Sequence, residues 1–249
     1  MSRVALVTGA GRGIGRAIAL RLAADGLAVA VAARTADQVD ETARAAGRRA
    51  LALVLDVTDA ASVAAAVART ARELGPVDVL VNNAGLAESA PFAKTDPALW
   101  TRHFDVNVNG PYLTTRAVLP GMLERRWGRV INVASLAGLH GSPYVTAYTA
   151  SKHALVGFTR ALATEVAGRG VTVNAICPGY AATELVWSAA RNIEKQTGTS
   201  FDEAVEALAK LNPGGRLIEP AEVAAVAAKL LHDDATNGEA LVLDGTGPP

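Results

Sequence analysis

Seven short runs of nearly unbroken apolar residues punctuate the chain: VALVT (4–8), AVAVAA (28–33), LALVLD (51–56), VDVLVN (77–82), RVINVA (129–134), VTVNAIC (171–177) and ALVLD (240–244). Helix-length amphipathic segments separate them. A strand with one wet face alternates apolar and polar residues, whereas a strand covered on both faces stays apolar throughout. The pattern therefore predicts a doubly wound α/β fold, a parallel sheet between two helical layers joined by right-handed crossovers. No Pro/Gly/Ser-rich linker and no repeat divides residues 1–249, so a single domain is expected.

Two segments break the rhythm. Residues 96–125 are long enough for one extended helix carrying Asn107, ended or kinked near Pro120. Residues 184–212, between the sixth and seventh strands, far exceed an ordinary loop. There, SFDEAVEALAKL (200–211) opens with a capping-box pattern, Ser200 with Glu203, and continues as a helix. One or two helices inserted beyond a strand's carboxyl end stand where a substrate lid would lie. A structural or subunit-contact insertion is the other reading.

Composition narrows the partners. The 249 residues carry no formal net charge and half of them are hydrophobic, enough for one large buried core. Charge balance gives no reason to expect nucleic acid or an acidic membrane. The short basic clusters, Arg48-Arg49 and Arg125-Arg126 with Arg129, read as solvated faces. No apolar run reaches the roughly 20 residues of a membrane span. The first strand begins almost at once, without a signal peptide, and the single cysteine, Cys177, suits a reducing compartment. These features predict a soluble cytoplasmic protein. His103, His140, His153 and His232 are scattered with no metal-site spacing, so no metal is expected.

Chemistry first appears in TGAGRGIG (8–15). Gly9, Gly11, Gly13 and Gly15, with Arg12 and Ile14 between them, punctuate a turn that follows the first strand and opens a helix. Such a turn lets backbone N–H groups approach a pyrophosphate, which a helix N-terminus also attracts. At the end of the second strand, where a carboxylate would select NAD, stands Ala33 followed by Arg34. A guanidinium there suits a 2′-phosphate, so the expected cofactor is NADP(H) rather than NAD(H). Asp56 is placed either for an adenine amino group or as an acid at a helix start. In AYTASKHAL (147–155), Tyr148 and Lys152 lie one helical turn apart, on one face.

Together with LDV (55–57), NNAG (82–85), Asn107 in DVNVNG, Ser135 in NVAS, and PG with Thr183 in PGYAATEL, these motifs resemble the short-chain dehydrogenase/reductase family, of the single-domain type. The resemblance runs through most of the chain. It implies a Rossmann fold with a seven-stranded parallel sheet and a catalytic set of Asn107, Ser135, Tyr148 and Lys152. It also implies a cofactor site that adds Val57, Asn83, Ala84, Gly85, Pro178, Gly179 and Thr183, with Lys152 on the ribose hydroxyls. Ketone reduction needs a proton for the oxygen as hydride reaches carbon. A free tyrosine, with a pKa of about 10, is a poor donor at neutral pH. A lysine ammonium and the oxidised nicotinamide are expected to lower that value, Ser135 to hold the substrate oxygen, and the Asn107 amide to anchor a water leading to Lys152.

The nearest likeness is to 3-oxoacyl-thioester and polyketide-type ketoreductases, in YTASKHALVGFTRAL, GVTVNAICPGY and GRLIEPAEVA (215–224). Polyketide ketoreductases carry Pro-Gly-Gly soon after NNAG; this chain has LAESAPF (86–92), which counts against a polyketide substrate. Leu86, Leu136, His140, Tyr144, Tyr180, Leu185 and Trp187 are the candidate pocket residues, a lining for a medium-sized ketone or its alcohol. The alternatives are an NAD-dependent alcohol dehydrogenase working oxidatively and a non-catalytic dinucleotide sensor. The helix at 148–167 carries two apolar stripes. The second (Val156, Thr159, Ala163) would be exposed in a monomer, and the resemblance implies a homotetramer completed through 220–231 and 240–244.

Overall fold

A computed structural model of the protein describes residues 2–247. All seven apolar runs are strands: β1 Val4–Thr8, β2 Ala28–Ala33, β3 Ala50–Val54, β4 Val79–Asn82, β5 Gly128–Val133, β6 Val171–Pro178 and β7 Ala240–Leu243. They form one parallel sheet in the order β3-β2-β1-β4-β5-β6-β7. The order reverses between β1 and β4, which opens a crevice beyond the carboxyl ends of those strands.

The helices are α1 Gly13–Ala24, α2 Ala36–Ala46, α3 Ala60–Glu73, α4 Pro97–Phe104, α5 Gly110–Glu124, α6 Thr146–Val166, α7 Glu184–Thr197, α8 Phe201–Lys210 and α9 Pro220–Leu231. Alternate strand residues serve opposite layers, as the two-residue period of a strand requires. Val7, Val29 and Val81 pack with Ile18 and Leu22 of α1 and with Val223 and Leu230 of α9. Leu6, Leu80 and Val130 pack with Val63 of α3, Met122 of α5 and Val166 of α6. Each such fully buried leucine or valine contributes about 2 kcal/mol from leaving water. Coverage of both faces is the physical reason the strands read as continuous apolar runs.

The long segment 96–125 is helical from Pro97 to Glu124, with one π-helical turn, Asp105–Asn109, between α4 and α5. It does not end at Pro120. That proline is exposed, as is Arg116, whose carbonyl loses a donor on the solvent side, where water replaces it. The insertion after β6 is two helices. Ser200 and Glu203 close the expected capping box, and Val186, Ala190, Ala204 and Leu208 bury the seam between α7 and α8.

Two surface expectations fail. Arg129 is 2% exposed rather than solvated: it stacks on Trp127, pairs with Asp234 and donates to the Gly128 carbonyl. Trp127 is also met by Arg3, 3.6 Å from the ring centre. On α6, the second apolar stripe is buried within one chain, Val156, Thr159 and Ala163 at 3% exposure or less, and the first is buried except at the partly exposed Phe158. The sheet and its flanking turns reach farther around this helix than one stripe, so its pattern alone calls for no partner. Among the described residues, no helix is long and apolar enough to cross a membrane.

Candidate active site

Turns and loops at the carboxyl ends of the strands line the crevice. After β1, Gly9 has φ +64°, a left-handed conformation that favours glycine, and a Cβ there would lie 2.8 Å from Ala84 Cα. A Cβ on Gly15 would overlap Asn83 Nδ2 and the Gly9 carbonyl. Asn83 fastens this junction, donating from Nδ2 to the carbonyls of Thr8 and Gly9 at 3.0 and 3.2 Å. Helix α1 then starts at Gly13 with no capping side chain and no acid in its first turn. Its N-terminal N–H groups and positive end suit an anion, and the close backbone packing keeps side chains out of its way. A Cβ on Gly13 would come within 3.3 Å of Thr183, where the lid begins. Residues present thus fit a dinucleotide's pyrophosphate.

Arg12 and Arg34 are both exposed beside this turn, with Ala33 at the strand end. Asp56 is drawn below the usual carboxylate range, first by the Thr58 backbone N–H and hydroxyl it accepts from, and more weakly by Arg34. Its Oδ1 is committed to those two bonds, at 2.9 and 2.7 Å, while Asp59 caps α3. The two Oδ1 bonds shape the turn that leads into α3 and make no use of Oδ2. Val57 packs against Gly110, where α5 begins.

Ser135, after β5, caps a 3-10 turn at Leu136–Gly138, its Oγ accepting from the Ala137 N–H at 3.1 Å. Gly138 lets this turn lie on α6, since a Cβ there would sit 2.8 Å from the Lys152 carbonyl. The contact brings the Ser135 hydroxyl to the Tyr148 phenol. The four-residue step places Lys152 on the same helix face, with Nζ 5.7 Å from the Tyr148 ring centre and donating to the Val133 carbonyl at 2.8 Å.

Burial pushes the phenol of Tyr148 up, opposed by the hydrogen bond with Ser135, and Lys152 does not offset it. The lysine itself is 4% exposed, and burial pushes it down to about 8. A desolvated phenol loses more from burial than it gains from a cation whose proton points at a carbonyl. Cys177, beneath the pair, is pushed up to about 11 by burial and remains a thiol.

Asn107 makes three side-chain hydrogen bonds. Its Oδ1 accepts from the Leu86 N–H at 2.8 Å, and its Nδ2 donates to the Leu86 carbonyl and to Ser151 Oγ, both at 2.9 Å. Both Nδ2 protons are thus spent on protein, while Oδ1 keeps one lone pair beyond the Leu86 bond. Ser151 passes the contact on by donating to the Tyr148 carbonyl at 2.7 Å. Sequence reading missed Ser151, although a hydroxyl beside Lys152 and three residues after Tyr148 was a visible signal.

The remaining expected residues lie on the loops at this end of the sheet or on the lid. A Cβ on Gly179 would lie 3.2 Å from Leu136 Cδ1, and Pro178 ends β6. Asn212 holds the Tyr180 backbone through both its N–H and its carbonyl, at 2.8 and 2.9 Å. Tyr144, Leu185 and His140 are exposed, and Tyr144 has φ +65°. Trp187 instead faces Phe201, 6.3 Å away within the lid's own apolar cluster, and its ring is committed to that packing. No group of three or more His, Cys, Asp or Glu among the described residues is arranged to hold a metal.

A doubly wound parallel sheet whose glycine turn, serine, tyrosine and lysine converge on one crevice defines a dinucleotide-dependent oxidoreductase. The short chain dehydrogenase family model matches residues 3–194, and the chain belongs to that family. It is 40% identical over 249 residues to the 3-oxoacyl-acyl-carrier-protein reductase FabG of Pseudomonas aeruginosa, covering 99% of this chain and 95% of that protein. Over 235 residues it is 39% identical to the acetoacetyl-CoA reductase of Shinella zoogloeoides, covering 94% and 93%. A substituted form of the actinorhodin polyketide ketoreductase, crystallised with NADPH, superposes with a TM-score of 0.94 at 40% identity, covering 99% of this chain and 97% of that one.

Proposed function

We propose that the protein uses NADPH to reduce a ketone, a 3-oxoacyl thioester or a similar medium-sized carbonyl compound, to a secondary alcohol. The observation that carries this reading is the Ser135–Tyr148–Lys152 cluster at the carboxyl ends of β5 and β6, supported by relatives that are reductases of 3-oxoacyl and acetoacetyl thioesters. Ser135 holds the substrate oxygen, and Tyr148 donates the proton as negative charge develops there. The phenol is protonated at neutral pH, as a donor must be; burial raises its pKa and so weakens it as an acid, an effect that the Ser135 hydrogen bond opposes. Lys152 returns the proton and holds the ribose hydroxyls, while Asn107 and Ser151 fix the first turns of α6. When bound, NADPH supplies the hydride. NADPH consumption against 3-oxoacyl thioesters, cyclic diketones and aryl ketones tests the proposal; no turnover with any of them would refute it.

Selection of NADPH rests on Arg34 beside the acid-free strand end. Because Arg34 is exposed, solvent weakens its grip, so Arg34→Ala is expected to raise the NADPH KM about tenfold and to leave the NADH KM nearly unchanged. Steady-state kinetics with both cofactors checks this, and equal effects would mean that Arg34 does not read the phosphate.

The assembly we infer is a homotetramer working in the cytoplasm, a setting that suits the free thiol of Cys177. With the second stripe of α6 buried, the support lies elsewhere. Trp100 and Tyr112 are exposed on α4 and α5, and Val242 is half-exposed on β7, an edge strand paired only with β6. Light scattering should return four times the 25.5 kDa chain mass; a monomer at micromolar concentration would refute the assembly.

A further inference from the structure

His103 is completely buried in α4, one turn before Asn107, and the proposed chemistry makes no use of it. Its ring stands edge-on to Tyr148, with centroids 6.4 Å apart and planes at 71°. Both nitrogens are engaged. Nδ1 lies 2.8 Å from the Leu99 carbonyl, which can only accept, and Nε2 receives the Glu88 backbone N–H at 3.1 Å. This arrangement requires the neutral ring with its proton on Nδ1. With both nitrogens spent on the backbone, His103 has no proton to exchange with substrate or with Tyr148.

What the ring does is hold a loop. Residues 86–90 run along the helix, and every second N–H is tied down. Leu86 donates to Asn107 Oδ1 at 2.8 Å, Glu88 to His103 Nε2 at 3.1 Å, and Ala90 to the Tyr144 carbonyl at 2.7 Å. Asn107 and His103, four residues apart, share one helix face and grip alternate residues of an extended segment. The third tie goes to a residue in the left-handed region, a conformation a tyrosine adopts only when its surroundings enforce it.

We propose that His103 is a positioning residue for the ketone. By accepting the Glu88 N–H it sets the course of 86–90, and through Ala90 the placement of Tyr144, so that it orders two segments carrying the candidate pocket residues Leu86 and Tyr144. The inference rests on the ketone-reductase reading. It assigns His103 to substrate fit, not to proton transfer and not to NADPH binding. The exposed Arg102–Glu88 ion pair, at 3.2 Å, cannot substitute, because a solvated side-chain pair leaves the part-buried backbone N–H without its acceptor.

Three variants test the proposal. His103→Leu fills the space but removes the acceptor, His103→Gln places an amide oxygen where Nε2 stood, and Glu88→Pro deletes the donor itself. In His103→Leu the KM for the best ketone is expected to rise by up to about tenfold, the cost of leaving one part-buried donor without its acceptor, with kcat changed less than about threefold and NADPH affinity unchanged. His103→Gln should recover most of the loss. Glu88→Pro should reproduce it, and combining it with His103→Leu should add nothing, because both remove the same bond. An unchanged ketone KM in folded His103→Leu, a Gln variant as impaired as the Leu variant, or additive losses in the double variant would overturn the inference. If instead the unmodified protein reduces no ketone, it is the functional reading that fails.

Discussion

Tyr148→Phe is expected to lose at least about a hundredfold in kcat for ketone reduction, the range set by removing a positioned general acid, while NADPH binds as before. The substitution deletes one hydroxyl, which makes only the Ser135 contact, and keeps the ring that packs against His103. Helix α6 and its bond from Lys152 to Val133 stay in place. Steady-state kinetics with fluorescence titration of NADPH separates the two effects. Near-normal turnover would remove Tyr148 as the donor. Loss of NADPH binding would show instead that the hydroxyl supports the fold of the crevice.

The second large effect belongs to Lys152. Lys152→Ala should lower kcat on the order of a hundredfold and also raise the NADPH KM, because one ammonium serves both proton return and the ribose hydroxyls. Its depressed pKa gives a further signature. In the folded protein the ammonium loses its proton above about pH 8, so kcat/KM for NADPH, which reports groups of the free enzyme, should fall there. Stability should move the other way. An unfolded-state lysine stays protonated to about pH 10.4, so between the two values the unfolded chain binds more protons and stability rises with pH. The contribution reaches roughly 3 kcal/mol at full titration, as an order of magnitude. Denaturant melts of the parent and of Lys152→Met at pH 7 and about pH 10 isolate it, since methionine removes the titration and keeps the bulk. Equal pH slopes in the two proteins would mean that Lys152 titrates like a solvated lysine.

Much of this architecture was legible because its causes are local. Strands buried on both faces must be apolar along their length, and Gly9 must be glycine at its φ of +64°. The Ser200–Glu203 box is likewise written in four consecutive residues. What escaped depends on contacts between distant segments. Arg129 reads as a surface charge until Trp127 and Asp234 close over it. The π turn at Asp105–Asn109 and the commitment of the Asn107 amide depend on Leu86 and Ser151, 21 and 44 residues away. His103 looked like one of four scattered histidines because its partner Glu88, through a backbone N–H, leaves no side-chain signature. The surroundings of Tyr148 escaped for a similar reason. Helical spacing places Lys152 beside the phenol but does not reveal that its ammonium is turned to Val133, or how deeply both groups are buried.

The most direct measurement uses NADPH deuterated at both nicotinamide C4 positions, a 3-oxoacyl thioester and mass spectrometry of the product. The account predicts one deuterium on the carbinol carbon for each NADPH consumed, with the hydroxyl proton drawn from solvent. An alcohol without deuterium, or NADPH consumed with no alcohol formed, would contradict it.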